Sequence, residues 1–157
     1  KLGVQKKPGL SSYLTAQSNL ADLVQNCGIA KDEWAFHVIT AGQNPPNPVE
    51  LLSSARMQKM LDVLKKAYDY VILDAPPVTV VTDAAVVGRL TDGALLVVRS
   101  KFASARTVRQ AKAKLENVGI RILGGVLTRF NMRKSGWRAG YDYNQYEYGY
   151  GQRRAGR

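Results

Sequence analysis

The sequence predicts an α/β fold, a doubly wound and mostly parallel sheet with helices on both faces, and three observations carry that reading. Val71-Ile72-Leu73 and Ala94-Leu95-Leu96-Val97-Val98 are short, unbroken apolar runs, the pattern of strands buried on both faces in a helix-flanked parallel sheet. Segments with apolar residues at helical spacing lie between these runs. The order strand, helix, strand, helix, strand then demands parallel crossovers, which are right-handed in nearly every known case.

Taken in order, Lys1 to Pro8 is basic and aperiodic, so no element is expected there. A short helix carrying Leu10, Tyr13 and Leu14 is expected after Gly9, and another around Leu20 to Val24. Phe36 to Thr40 alternates as a short strand and is closed by Ala41-Gly42 and the proline-rich loop from Asn44 to Pro48. Asn47 as N-cap, Pro48 at the first helical position and Glu50 three residues after the cap form a helix-start signal. Leu52, Met57, Met60, Leu61 and Leu64 follow at helical spacing, which predicts one helix running to about Lys66 with its methionines in the core.

Val71 to Asp74 is the next strand, and Pro76-Pro77 stops it because neither proline has an N–H to donate. Thr82-Asp83 can cap a helix through Ala84, Val87 and Leu90, and Asp92-Gly93 is a turn. After the Ala94–Val98 strand, Ser104 caps a helix whose inward face is Val108, Ala111 and Leu115. Gly119 stops that helix, and Arg121 to Leu127 is the last strand.

A chain of 157 residues is one domain or a large piece of one, and 45% hydrophobic content is enough for a core. Its apolar runs fall far short of the roughly 20 residues that cross a bilayer, and the start has no signal-peptide core, so the chain is expected to be soluble and cytosolic. The single cysteine, Cys27, excludes an internal disulfide. Neither Cys27 nor the one histidine, His37, has a companion at metal-ligand spacing, so both are read as structural.

The formal net charge of +11 favours an acidic partner such as nucleic acid, anionic lipid or nucleotide phosphates. From Arg129 to Arg157 seven Arg or Lys face Asp142 and Glu147, which leaves +5 on a stretch with almost no aliphatic residues. Tyr141, Tyr143, Tyr146, Tyr148 and Tyr150 lie there, five of the eight tyrosines in the chain. Such a segment buries too little surface to offset its ordering entropy, so 1–128 is read as the folded part and 129–157 as a disordered, basic, tyrosine-rich tail.

Asp74 stands where a buried strand would open onto a crevice at its carboxyl end, the place where open α/β sheets bind ligands. A hard Mg²⁺ ion prefers oxygen ligands and keeps several waters, so a single carboxylate there can hold it against nucleotide phosphates. The alternative is an aspartate that merely caps a turn. The complementary part of a triphosphate site, a glycine-rich loop ending in Gly-Lys-Ser/Thr, is not present, since the sequence has no Gly-Lys pair. By itself the chain is expected to bind ATP weakly or not at all.

Together these stretches carry a resemblance. Gly9-Leu10-Ser11, then Ala41-Gly42-Gln43-Asn44-Pro45-Pro46-Asn47-Pro48-Val49-Glu50-Leu51-Leu52, then Tyr68-Asp69-Tyr70-Val71-Ile72-Leu73-Asp74-Ala75-Pro76-Pro77, Thr82-Asp83-Ala84, Asp92-Gly93-Ala94-Leu95-Leu96-Val97-Val98-Arg99 and the tyrosine cluster occur in this order. The chain thereby resembles the bacterial tyrosine autokinases of capsular and extracellular polysaccharide synthesis, from Gly9 to Tyr150. The resemblance implies a deviant P-loop NTPase fold, ATP and Mg²⁺ as cofactors, and Asp74 as the Walker B carboxylate that organises Mg²⁺. Walker A and A′ motifs would precede Lys1, so the chain looks like the C-terminal part of the catalytic domain.

Asp83 matches a recurrent acidic position, with helix capping or a catalytic contribution as its two readings. Thr128 and Arg129, at the end of the last strand, fall among nucleotide-contacting positions, although relatives usually have an asparagine where Thr128 stands. The five tail tyrosines are the implied phosphoacceptors. Phosphoryl transfer needs chiefly a positioned hydroxyl and charge stabilisation, and each phosphate adds about −1.5 to −2 charge, so three at about −2 would reverse the sign of the tail. Implied partners are further copies in a ring, a transmembrane polysaccharide co-polymerase that activates the kinase at the inner face of the cell membrane, and a cognate tyrosine phosphatase. Nucleic acid is not among them.

Two other readings compete. A partition-type ATPase switch on DNA or membrane shares the Asp74 chemistry and uses Lys101, Arg106, Arg109, Lys112 and Lys114, but it leaves the Pro-Pro-Asn-Pro loop and the tyrosines unexplained. A basic module that stacks Tyr and Arg on single-stranded RNA needs an ordered aromatic platform, which the tail does not offer.

Overall fold

The structure is a computed structural model that describes residues 3–28 and 35–131. The tail from 132 onward, with all five clustered tyrosines, lies outside the described residues. In chain order the elements are α1 (Leu10–Leu14), a 3-10 turn (Leu20–Leu23), β1 (Gln25–Gly28), β2 (Ala35–Val38), α2 (Pro48–Leu52), α3 (Ala55–Ala67), α4 (Asp83–Gly88), β3 (Ala94–Arg99), α5 (Ala105–Glu116) and β4 (Ile122–Thr128).

β3 and β4 pair in parallel from Ala94↔Ile122 to Arg99↔Thr128, with a register shift between Ala94 and Leu95. Helix α5 is the crossover between them, as the spacing requires. Its start is set by Ser104, whose hydroxyl accepts from the Thr107 N–H at 3.1 Å. Its end is set near Gly119, which takes the left-handed backbone (φ 80°) that an L side chain rarely adopts. Ala111 and Leu115 are buried along its inner side, and Val108 is half-buried.

The core gathers on α3. Met57, Met60, Leu61 and Leu64 are buried together with Leu14 and Val87. Leu10, Tyr13, Ile39, Leu52, Val71 and Leu73 pack around them. The expected helix from Asn47 to Lys66 is two helices, because the two serines at its centre satisfy the backbone locally. Ser53 Oγ donates back to the Val49 carbonyl at 2.8 Å, and Ser54 leaves the helical region (φ −71°, ψ 154°) to cap α3 by accepting from the Met57 N–H. Such hydroxyl back-bonding competes with continued helix. Asn47 and Pro48 begin α2 as the sequence implies, but Glu50 accepts from the Asn47 side-chain amide rather than from its backbone N–H.

The short strand expected from Phe36 is present as β2, which ends at Val38 rather than Thr40 and pairs antiparallel with β1, from Gln25↔Val38 to Gly28↔Ala35. One strand expectation needs correction. Val71 to Asp74 is extended but belongs to no ladder. It is also not buried on both faces. Val71 and Leu73 rest on the α3 core, while Tyr70 and Ile72 are 87% and 89% exposed. Contact with a helix can hold an extended segment by alternate side chains without a neighbouring strand, and that is the arrangement here.

The first helix is held against the chain that follows β2. The N–H groups of Leu10 and Ser11 donate to the carbonyls of Thr40 (2.7 Å) and Ala41 (3.0 Å). This approach requires glycine at position 9, where a Cβ would stand 2.4 Å from the Gly42 nitrogen and 2.7 Å from the Thr40 carbonyl oxygen. Backbone atoms cannot step aside as a side chain can. Gly9→Ala should therefore lower stability by about 1–3 kcal/mol, read as a reduced denaturation midpoint, whereas Gly3→Ala, with open space around the site but a left-handed backbone, should cost less.

Candidate functional site

Asp74 closes the extended segment and is exposed. Among the described residues its carboxylate enters no hydrogen bond or ion pair, so its oxygen ligands are uncommitted. Its position is set by the alternation just before it, since seating Val71 and Leu73 on α3 leaves the following residues projecting beyond the core. From Asp74 the chain runs through Ala75-Pro76-Pro77 into a turn, in which the N–H groups of Val80 and Val81 donate to the Pro77 carbonyl at 2.9 and 3.3 Å.

Asp83 lies at the first position of α4, which packs Val87 into the core. The Asp83 carboxylate is not engaged in a side-chain hydrogen bond, and Thr82, the N-cap residue, makes no capping bond through its hydroxyl. An acid in the first turn still favours the helix through the dipole. The loop between Asp74 and Asp83 thus carries a carboxylate at each end, with neither used to build the fold. Among the described residues no group of three or more His, Cys, Asp or Glu comes together as a metal cluster. A Mg²⁺ ion that keeps its waters and leans on nucleotide phosphates needs only one such carboxylate, and exposed, unpaired Asp74 fits that requirement.

Thr128 and Arg129 come together with the turn after β3 at the carboxyl edge of the parallel pair. The Ser100 N–H donates to the Thr128 carbonyl at 2.9 Å, and the Thr128 hydroxyl donates to the Val98 carbonyl at 3.4 Å. The Thr128 side chain therefore spans the two strands. Arg129 and Lys101, just past the ends of β4 and β3, both hold left-handed backbones (φ 52° and 61°) that are unfavourable for L residues. The Arg99 guanidinium lies 5.1 Å from the centre of the Phe102 ring, and Phe102 is 78% exposed. Sequence reasoning missed this turn, since nothing in Ser100-Lys101-Phe102 announces a positive φ in the way a glycine would. No described hydrogen bond or ion pair joins the Asp74–Asp83 loop to this edge.

One side of the β3–β4 pair is open. Leu95 and Val97 are 61% and 64% exposed, and their register partners on β4, Gly124 and Val126, continue that side. The reading of Ala94 to Val98 as buried on both faces is thus not met: Ala94, Leu96 and Val98 are half-buried and Leu95 and Val97 exposed. A cavity of about 240 Å³ lies elsewhere, lined by Leu61, Lys65, Tyr68, Asp69, Leu90 and Asp92 among others. It excludes Asp74 and Asp83 and sits toward the amino end of the extended segment.

The other candidates have structural surroundings. Cys27 is buried in β1. His37 Nδ1 lies 3.0 Å from the Tyr68 hydroxyl, and the two rings meet edge-on at 5.6 Å. No described helix is long and apolar enough to cross a membrane.

Comparison with known proteins adds what geometry alone does not. The chain is 41% identical over 132 residues to the tyrosine-protein kinase etk of Escherichia coli (strain K12), which covers 84% of this chain and 18% of that protein. It is 33% identical over 123 residues to the tyrosine-protein kinase CpsD of Streptococcus agalactiae serotype III (strain NEM316), covering 78% of this chain and 51% of CpsD. The solved kinase domain of the Escherichia coli tyrosine kinase ETK superposes with a TM-score of 0.74 at 38% identity, over 89% of this chain and 54% of that one. The chain belongs with the catalytic domains of the bacterial tyrosine kinases. It spans about half the length of CpsD and of the solved ETK kinase domain, and under a fifth of etk. No family model matches.

The α/β fold with a parallel strand pair is that of these kinase domains. The two left-handed cations allow a stability test. Lys101→Gly should be more stable than Lys101→Ala by about 1 kcal/mol, as glycine takes that backbone without a steric penalty, and chemical denaturation of the pair measures the difference.

Proposed function

We propose that this chain supplies the carboxylate part of the catalytic centre of an ATP-dependent protein-tyrosine autokinase, one that regulates the polymerisation and export of a capsular or extracellular polysaccharide. The observation that carries the reading is Asp74, exposed and uncommitted at the end of a segment seated on α3, in a chain 38% identical to a solved tyrosine kinase domain. In this reading Asp74 holds Mg²⁺ directly or through water, and Thr128 and Arg129 face the nucleotide at the carboxyl edge of β4. Mg²⁺-ATP supplies the transferable phosphoryl group when bound.

Asp83 holds negative charge at the start of α4, at the far end of the loop that Asp74 begins. Tyr141, Tyr143, Tyr146, Tyr148 and Tyr150 are the acceptors, each offering a hydroxyl on a stretch of sequence with almost no aliphatic residues. The phosphate cradle comes from a further half of the domain, seated against the open side marked by Leu95, Val97 and Val126. That face is apolar and exposed in a chain that spans about half the length of CpsD. Further copies, a membrane-spanning activator at the inner face of the membrane and a tyrosine phosphatase complete the assembly. The partition-type switch is the weaker reading, for the relatives named above are tyrosine kinases and the tyrosine cluster fits a kinase.

Two outcomes follow. In the full-length protein, Asp74→Asn should reduce autophosphorylation by about 100-fold or more, the scale expected when a group that stabilises transition-state charge is lost. Phosphopeptide mass spectrometry should locate the modification within 141–150. Unmodified tyrosines in an active protein would remove the autokinase reading. Residues 1–157 alone, without any Gly-Lys-Ser/Thr loop, should show no saturable ATP binding by calorimetry, and binding should appear when the phosphate-loop half is supplied.

A further inference from the structure

The loop from Ala75 to Thr82 joins the two candidate carboxylates but has few means of holding its shape. Pro76 and Pro77 donate no hydrogen bonds, the segment before it pairs with no strand, and its own backbone bonds all converge on the Pro77 carbonyl. The carbonyls of Val78 and Thr79 are met from a remote element. Lys114 of α5 directs its ammonium at both, with Nζ 3.4 Å from the Val78 oxygen and 3.3 Å from the Thr79 oxygen, across 36 and 35 residues of sequence.

Lys114 is exposed like Arg106, Arg109 and Lys112, but its partners differ. Lys112 pairs with Glu116 at 3.4 Å, whereas Lys114 has no carboxylate at ion-pair distance among the described residues and meets the two loop carbonyls instead. An ammonium is a compact charge with three rotatable donors, suited to two carbonyls that diverge from successive peptides. It also puts a positive charge beside a loop that carries a carboxylate at each end.

We propose that Lys114 is a positioning residue: it fixes the loop between Asp74 and Asp83 and so sets where the two carboxylates stand for phosphoryl transfer. It touches neither carboxylate. The inference rests on the kinase reading for its catalytic consequence and on the geometry alone for the clamp. Small displacements of groups that orient a reaction can cost about 100-fold in rate, so a loop held by one side chain is a sensitive point.

The test uses the full-length protein with Lys114→Met, which keeps the stem and removes the charge, Lys114→Arg, and Lys112→Met as a control that removes a charge of the same helix paired with Glu116. Lys114→Met should accelerate amide hydrogen exchange at Val80 and Val81 by about fivefold or more and leave the α3 amides unchanged. It should lower kcat for autophosphorylation by about 10- to 100-fold, raise the Mg²⁺ concentration needed for half-maximal rate, and leave KM for ATP within about twofold, the pattern of a lost interaction that serves the transition state. Lys114→Arg should restore most of both effects, and Lys112→Met should produce neither. Unchanged exchange in Lys114→Met overturns the clamp. Faster exchange with unchanged kcat and Mg²⁺ dependence, while Asp74→Asn abolishes activity, overturns the positioning role. If Asp74→Asn itself leaves activity intact, the kinase assignment of the site fails, and the exchange data alone then decide the clamp.

Discussion

The contact between the inner side of α3 and everything laid against it is the interaction on which the rest of the described structure depends. Met57, Met60, Leu61 and Leu64 form a buried stripe, and α1, α4, the chain after β2 and the extended segment at 70–74 all deliver side chains to it. Each fully buried aliphatic side chain contributes about 1.5–3 kcal/mol, and no other group of buried residues in this part of the molecule rivals this one. Segment 70–74 has no ladder to fix its register, so the seating of Val71 and Leu73 on that stripe is what determines where Asp74 emerges. A one-residue slip would bury Tyr70 and Ile72 and reverse every side chain after them.

The second packing unit, β3–α5–β4, is built by a different device. Parallel ladder bonds and the capped crossover helix hold it, and its own buried residues, Ala111, Leu115 and Ile120, are few. The two units meet where Gly88 of α4 admits the Ile120 side chain, a Cβ at that glycine falling 2.6 Å from Ile120 Cδ1, and where Lys114 reaches the Val78 and Thr79 carbonyls. The Asp74–Asp83 loop lies at this junction, which explains how a side chain on the crossover helix comes to hold it.

Much of the fold was legible in the sequence because it is encoded locally. The cap at Ser104, the start of α2 at Pro48, the apolar spacing of α3 and α5 and the β3–β4 crossover each follow from a few neighbouring residues. The break at Ser53-Ser54 was missed because serine permits both helix continuation and local back-bonding, and the choice between them depends on which residues α3 must present to the core. The antiparallel pairing of β2 was missed because Gln25-Asn26-Cys27-Gly28 has no strand-like alternation of its own. Of the site, Asp74 and Asp83 could be named from position in the motif, whereas the left-handed Lys101 and Arg129 and the reach of Lys114 depend on contacts distant in sequence.

The apolar runs hold the more general lesson. A strand's composition records the environment of the whole domain in which it functions, and Ile72, Leu95 and Val97 are written for burial. In the described structure Val71, Leu96 and Val98 are half-buried, while Ile72, Leu95 and Val97 are exposed. In the proposed kinase reading, the mismatch between composition and exposure marks the surface on which a further half of the domain seats. Asp74 stands at the end of one of those half-covered segments. A carboxylate can hold Mg²⁺ there, yet phosphates need a cradle of backbone N–H groups and a lysine, which no Gly-Lys pair in this sequence provides. In the proposed kinase reading, the uncovered apolar surface and the carboxylate without a phosphate loop share one explanation, a further half of the domain seated on that face.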